Sequence, residues 1–363
     1  MRLIILILLG LTAMCTQTPS EKNRVSIHRE IVAVDSLLDV FEVVRAVPLA
    51  DSVLEFIPDV SKVLAHSDGD LFIGDFKASQ LVRTNGNGEL LHAYIVQGEG
   101  PGEISTLRDF TITGDQVVIF GAYKAVVFSI AGDLLHERKY SGQNDITALM
   151  PGVACGDLYY VQIGDGRLKG LLENTTVSSE VHFTDDRLDL LPFSPTQPMG
   201  CHNDDLFITD NFDLTLYRYT EGQRTDFVLA PSEVDFSGLV PNERNKSQKM
   251  RLYSERLRMV NRWEYVFSTG QELCLIRVDF SKNATYVGFF KDDELVEYGP
   301  LNFLRTEGTS DNPLALNDIV GSAGGDLIGY TTDHEALSFL AEKGYSDGAK
   351  PQLVFLQVNR GGE

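Results

Sequence analysis

The seven histidines, His28, His66, His92, His136, His182, His202 and His334, stand singly in the chain. With no HExxH and no pair at helical spacing, they present no zinc-binding arrangement. There is no GxSxG elbow, and Cys201 beside His202 is a sequence neighbour rather than a nucleophile and base brought together by a fold. Oxygen ligands are better represented: Asp75, Asp210 and Asp333 each follow a short β-rich run, Asn211 adjoins Asp210, and Asp109 stands near another such run. Carboxylates and amides of this kind are what calcium takes. Aspartate also ends strands for its own backbone hydrogen bonds, and that structural reading carries more weight. No cofactor is demanded by the sequence, and calcium is the one its residue types would accommodate.

Basic residues are concentrated in one place. Met250, Tyr253, Leu257 and Val260 recur at helical intervals and predict an amphipathic helix over 241–263, within an insertion of about 232–264. Its polar side carries Arg244, Lys246, Lys249, Arg251, Arg256, Arg258 and Arg262, which is seven of the chain's 31 basic residues. In a protein with 52 acidic residues and a formal charge of −21, such a lip suits an acidic ligand, an anionic sugar or a partner protein. The ligand-binding candidates are therefore Asp75, Asp109, Asp210, Asn211, Arg251, Arg258, Arg262 and Asp333. A solvated helix face whose arginines pair with surrounding carboxylates is the competing reading. The overall acidity repels phosphate backbones and excludes nucleic acid as an expected partner.

The elements that must position these residues are visible as a repeat. A phrase recurs as Gly69-Asp70-Leu71-Phe72, Gly114-Asp115-Gln116-Val117, Gly156-Asp157-Leu158-Tyr159, Asp204-Asp205-Leu206-Phe207, Gly270-Gln271-Glu272-Leu273 and Gly325-Asp326-Leu327-Ile328. Successive copies are 45, 42, 48, 66 and 55 residues apart. The shorter spacings match a four-stranded propeller blade, and the longer two imply insertions, the second over 332–350 with a short helix at 334–343. Hairpin signals such as Asn85-Gly86-Asn87-Gly88 separate the strands. The expected fold is all-β: a six-bladed β-propeller of four-stranded antiparallel blades over 40–363. Residues 40–48 are expected to supply the outer strand of the sixth blade and so protect its edge. Six-bladed rings also host calcium-dependent hydrolases whose ligands meet in the central channel.

The first residues are organised differently. Arg2, the apolar run 3–9 and then Cys15 have the layout of an export signal, too short to remain as a membrane-spanning anchor. Cys15, followed by the polar stretch 16–23, resembles the lipobox of bacterial lipoproteins and is the expected lipidation site, with Met14 departing from the usual small residue. Residues 16–39 read as a linker. Of the remaining Cys155, Cys201 and Cys274, a bridge between the first two is one reading, and three buried thiols is the favoured one.

The loop Gly98-Glu99-Gly100-Pro101-Gly102-Glu103 resembles the GxGPGE signature of the six-bladed β-propeller lipoproteins of Bacteroidetes, which are NHL-like propellers. Val44-Arg45-Ala46-Val47-Pro48-Leu49, Leu71-Phe72-Ile73-Gly74-Asp75 and Leu206-Phe207-Ile208-Thr209-Asp210 are similar to that family as well. The resemblance implies the fold and a location in the cell envelope, anchored to the outer membrane by lipid, but no chemistry. The loop itself lacks the Lys-Ser/Thr or βαβ context of a phosphate cradle and reads as a tight connection between blades. The expected function is non-catalytic binding of a glycan, peptide or envelope protein through one propeller face. The alternative is a calcium-dependent hydrolase or lyase of the lactonase-like type.

Overall fold

The computed structural model describes residues 24–94, 97–121, 124–139, 153–155, 158–162, 167–172, 175–182, 199–209, 215–220, 223–228, 261–279, 284–301, 314, 316 and 318–359. The chain is all-β, and its strands form antiparallel meanders. Three strands come first: β1 (Arg24–Ser26), β2 (His28–Val32) and β3 (Phe41–Pro48). The first meander is β4 (Lys62–Ala65), β5 (Leu71–Asp75), β6 (Gln80–Thr84) and β7 (Leu90–Tyr94). The second is β8 (Leu107–Thr113), β9 (Gln116–Gly121), β10 (Lys124–Ser129) and β11 (Leu134–Lys139). The third comprises β12 (Val153–Cys155), β13 (Leu158–Gln162), β14 (Arg167–Leu172) and β15 (Thr175–His182). The fourth holds β16 (Met199–His202), β17 (Asp205–Thr209), β18 (Thr215–Thr220) and β19 (Gln223–Val228). The fifth holds β20 (Asn261–Ser268), β21 (Leu273–Asp279), β22 (Ala284–Lys291) and β23 (Glu294–Leu301). The last has β24 (Asp318–Ala323), β25 (Asp326–Thr331) and β26 (Gln352–Val358), and β3 pairs antiparallel along β26 from Pro48↔Gln352 to Phe41↔Val358.

The repeated phrase is the turn between the first and second strands of a meander. Its first residue has positive φ in every described copy: Gly69 (94°), Gly114 (53°), Asp204 (62°), Gly270 (81°) and Gly325 (99°). Only a residue without Cβ, or a short Asp or Asn, adopts that conformation at low cost. The residues that follow form the second strands, and every residue of β5 is buried. The outer β3 instead alternates buried and exposed positions over much of its length, as an edge strand facing core on one side and water on the other requires.

First strands of successive meanders lie side by side: β12 against β16, β16 against β20, and β20 against β24. β24 then pairs in parallel with β4 through Gly321↔Val63 and Ser322↔Leu64. A Cβ on Gly321 would sit 2.2 Å from the Val63 carbonyl oxygen, so this junction requires glycine. The core is correspondingly divided into clusters between neighbouring meanders. Phe72, Leu81 and Tyr94 pack against Phe110, Ile119 and Phe128 between the first and second. Leu71, Ile73 and Val82 meet Ile328, Tyr330 and Phe355 between the last and first.

Three expectations change. Residues 24–39 are not linker: β1 runs parallel along β19, and β2 along β23, each covering the open edge of a meander. The helix expected over 241–263 does not include its last three residues, because Asn261–Ser268 is β20 and pairs with β21. The run Trp263-Glu264-Tyr265-Val266-Phe267 is dense in aromatic and β-branched residues, and sheet pairing overrides the helical spacing there. The remainder of that stretch lies outside the described residues. Finally, Cys155 and Cys201 form a disulfide that ties β12 to β16, with Cα atoms 5.3 Å apart, while Cys274 is free and buried. The two cysteines hold equivalent places in neighbouring repeats, and the adjacency of their first strands brings the thiols within bonding range. The short helix His334–Glu342 lies where the sequence placed it.

Candidate functional site: the polar rim of the sheets

Antiparallel pairing puts the start of each first strand and the end of each second strand at the same end of a meander. Lys62 thus faces Gly74, Asp109 faces Phe120, and Asp318 faces Tyr330. This shared end collects polar side chains from several meanders. The Lys62 Nζ donates to Asp109 Oδ1 at 2.7 Å and to the Phe110 carbonyl at 3.1 Å, with both charged residues almost wholly buried. From the fifth meander the Tyr265 hydroxyl donates to Asp318 Oδ1, which also accepts from the Ile319 amide at 2.8 Å. Burial pushes the Asp318 carboxyl above the usual carboxylate range. The tyrosine and amide donors oppose that shift, and the Asp59 charge adds to it.

Asp75, at the end of β5, is buried and closes the local turn. Its Oδ2 accepts from the Asp59 amide at 3.1 Å and its Oδ1 from the Ala78 amide at 2.7 Å. Asp333 is the N-cap of the helix His334–Glu342, accepting from the amides of Glu335 (3.1 Å) and Ala336 (3.0 Å). Asp75 and Asp109 therefore share one rim, whereas Asp333 serves a helix end. Among the described residues, no group of three or more His, Cys, Asp or Glu side chains is arranged to hold a metal ion. Asp210, Asn211, Arg251, Arg258 and Cys15 lie outside the described residues. Arg262 belongs to β20 rather than to a helix.

Sequence reasoning passed over Lys62, Asp318, Tyr265 and Tyr330. One signal was available: Asp318 stands as far ahead of Asp326 as Lys62 does of Asp70, so both open the first strand of a repeat. Tyr265 carried no comparable mark, since its partner comes from the next meander.

The remaining motifs resolve into structure. In the Gly98–Glu103 loop the Gly100 amide donates to Glu103 Oε2 at 2.8 Å and the Gly102 amide to Glu137 Oε1 at 3.0 Å. Lys124, ion-paired with Glu137, donates to the Gly100 carbonyl at 2.9 Å. The loop is thus wrapped around its own carboxylate and pinned to β10 and β11. At the opposite end of the sheets, His202 Nδ1 lies 2.9 Å from Ser268 Oγ, and the Asn203 side-chain amide donates to Nε2 at 3.0 Å. An acceptor role at Nε2 leaves the proton on Nδ1, so His202 donates to Ser268 and is not its base. On the outside of the fifth meander, fully buried Glu297 accepts from Arg277 at 2.7 Å and also pairs with Arg29 of β2.

No family model and no curated protein matches the chain. Solved structures do. A candidate exported protein of Bacteroides fragilis superposes with a TM-score of 0.58 at 17% identity, covering 92% of this chain and 99% of its own. A streptogramin B lyase gives 0.47 at 12% identity, covering 82% and 78% respectively. The WD40 domain of Neurospora crassa Pan2 gives 0.45 at 10%, covering 88% and 95%. The first of these likenesses places the chain in the same overall fold as the Bacteroides protein. Among the described residues no helix is long and apolar enough to cross a membrane.

Proposed function

We propose that the meanders are the blades of one closed six-bladed β-propeller, exported and tethered to a bacterial envelope by a lipid on Cys15, which binds a glycan, a peptide or a protein partner without catalysis. The observation that carries the non-catalytic reading is the occupation of the candidate ligands. Asp75 is bonded to two backbone amides, Asp109 to Lys62, and Asp333 to a helix N-terminus, so each has an internal task. Closure is supported by β3 on β26 and by the parallel junction of β24 with β4. Export is supported by the leader, by the candidate exported neighbour, and by the Cys155–Cys201 disulfide, which belongs to an oxidising compartment. The concentration of basic residues in the sequence over 241–262, Arg251, Arg258 and Arg262 among them, supports an acidic ligand or partner.

The test is a metal analysis of the soluble part beside a glycan and peptide array. Array binding without stoichiometric metal is the expected result, and stoichiometric calcium overturns the non-catalytic reading. Palmitate labelling that persists in Cys15→Ala removes the anchor.

A further inference from the structure

Residues 24–32 form a strap along the outside of two sheets. β1 pairs in parallel with β19 from Arg24↔Asp226 to Ser26↔Val228, and β2 with β23 from His28↔Glu294 to Val32↔Tyr298. Two side chains anchor it. Ile27 is buried in the cluster of Phe227, Trp263, Phe290 and Leu295 between the fourth and fifth meanders, and Arg29 pairs with the fully buried Glu297. His28, Glu30 and Ile31 face water, Ile31 being 54% exposed. Beyond the strap the chain is held independently: Leu37, Val40 and Phe41 are buried in a separate cluster, and β3 runs along β26. Residues 33–36, between the two, belong to no helix or strand. The slot that Arg29 enters is neutralised without it, because Arg277 Nε donates to Glu297 Oε1 at 2.7 Å and the carboxylate keeps a cation when the strap leaves.

From this geometry we infer that the outer edges of β19 and β23 are a strand-acceptor slot, which residues 24–32 of a second copy of this chain fill in exchange for the copy's own. The anchors at Ile27 and Arg29 both reach into the fourth and fifth meanders, and the edges themselves offer only backbone hydrogen bonds. Nothing in that pairing requires the strap to come from the same chain. The second copy is the occupant because an exchanged strap reproduces every contact of the resident one and leaves no new edge open. From Val32 to Leu37 the chain spans no more than about 18 Å, so two copies that exchange straps lie with these outer edges side by side. The slot is separate from the ligand face proposed above, and neither depends on the other.

The experiment titrates the soluble protein with a fluorescent peptide of residues 24–32. In the natural protein the peptide competes with the resident strap and is expected to bind weakly. Arg29→Leu in the protein takes one hydrogen bond to a charged group from that competitor and is expected to tighten peptide binding about tenfold. Ile27→Ala, at the other anchor, is expected to act in the same direction. A peptide that itself carries Arg29→Leu is expected to bind these variants about tenfold more weakly than the natural peptide does. Native mass spectrometry of a concentrated mixture of unlabelled and isotope-labelled protein is expected to show mixed dimers, forming faster in Arg29→Leu, whose straps open more readily. Peptide binding that neither variant improves, or that the Arg29→Leu peptide matches, overturns the slot. An absence of mixed dimers, or mixed dimers that form no faster in the variant, overturns the exchange between copies.

Discussion

Lys62 and Asp109 meet at 2.7 Å across the junction of the first two meanders, each buried and each on the first strand of its own sheet. The pair does more than neutralise two charges, because the lysine also bonds the Phe110 carbonyl and so fixes the second sheet against the first. Removing one partner strands the other charge out of water. Lys62→Met is expected to cost about 3–5 kcal/mol in chemical denaturation, and Lys62→Met with Asp109→Leu to recover most of it. A double variant no more stable than the single one contradicts this account.

Arg29 and Arg277 share the buried Glu297, but Arg277 is the more enclosed of the two and also lies over the Tyr286 ring. Arg277→Leu should therefore destabilise the whole fold. Arg29→Leu should chiefly release β2, seen as faster amide hydrogen exchange over His28–Val32 with the β20–β23 sheet unchanged.

The Cys155–Cys201 bridge closes a loop with a sequence separation of 46. By the chain-entropy account its loss costs about 4 kcal/mol, measurable as a fall in denaturation midpoint for Cys155→Ser with Cys201→Ser. Native protein lacking the leader and Cys15 should take up no alkylating agent without reductant. Cys274 is fully buried, and burial pushes its thiol pKa well up.

Burial lowers the His202 pKa below its ordinary 6.5, against opposing charges from Asp205 and Glu272. A base with a depressed folded pKa contributes stability that is complete above 6.5 and is lost as pH falls from there toward the folded value. His202→Gln is expected to flatten that part of the stability profile, and an identical slope in the variant rules out His202 as its source.

Gly98 has φ of 153°, and a Cβ there would lie 2.1 Å from Glu103 Oε2. Gly98→Ala should therefore open the loop that Glu103 closes, at about 1–3 kcal/mol, with Glu103→Ala producing a similar loss.

Several features were legible in the residues because their causes are local. The turn phrases demand positive φ, which Gly or a short Asp supplies, and the short β-rich runs between turn signals predict the strands around them. The same locality explains Asp333 and one side of Asp75, whose Oδ1 accepts from the Ala78 amide in the turn that follows, whereas its Oδ2 is met by the Asp59 amide from ahead of the preceding strand. The errors fall where pairing with another strand decides. Trp263 is a strand residue because β21 pairs with it, and residues 24–32 are strands because β19 and β23 had edges to cover.

By itself, then, the sequence determined an all-β chain of repeated antiparallel meanders with a strand ahead of the first repeat, since period and turn chemistry act over a few residues. Only the tertiary structure decided which side chains meet: Lys62 with Asp109, Tyr265 with Asp318, Cys155 with Cys201, and Arg29 with Glu297. Each of these contacts crosses between sheets or joins distant segments, and sequence spacing carries no record of which sheet edges and strand ends become neighbours.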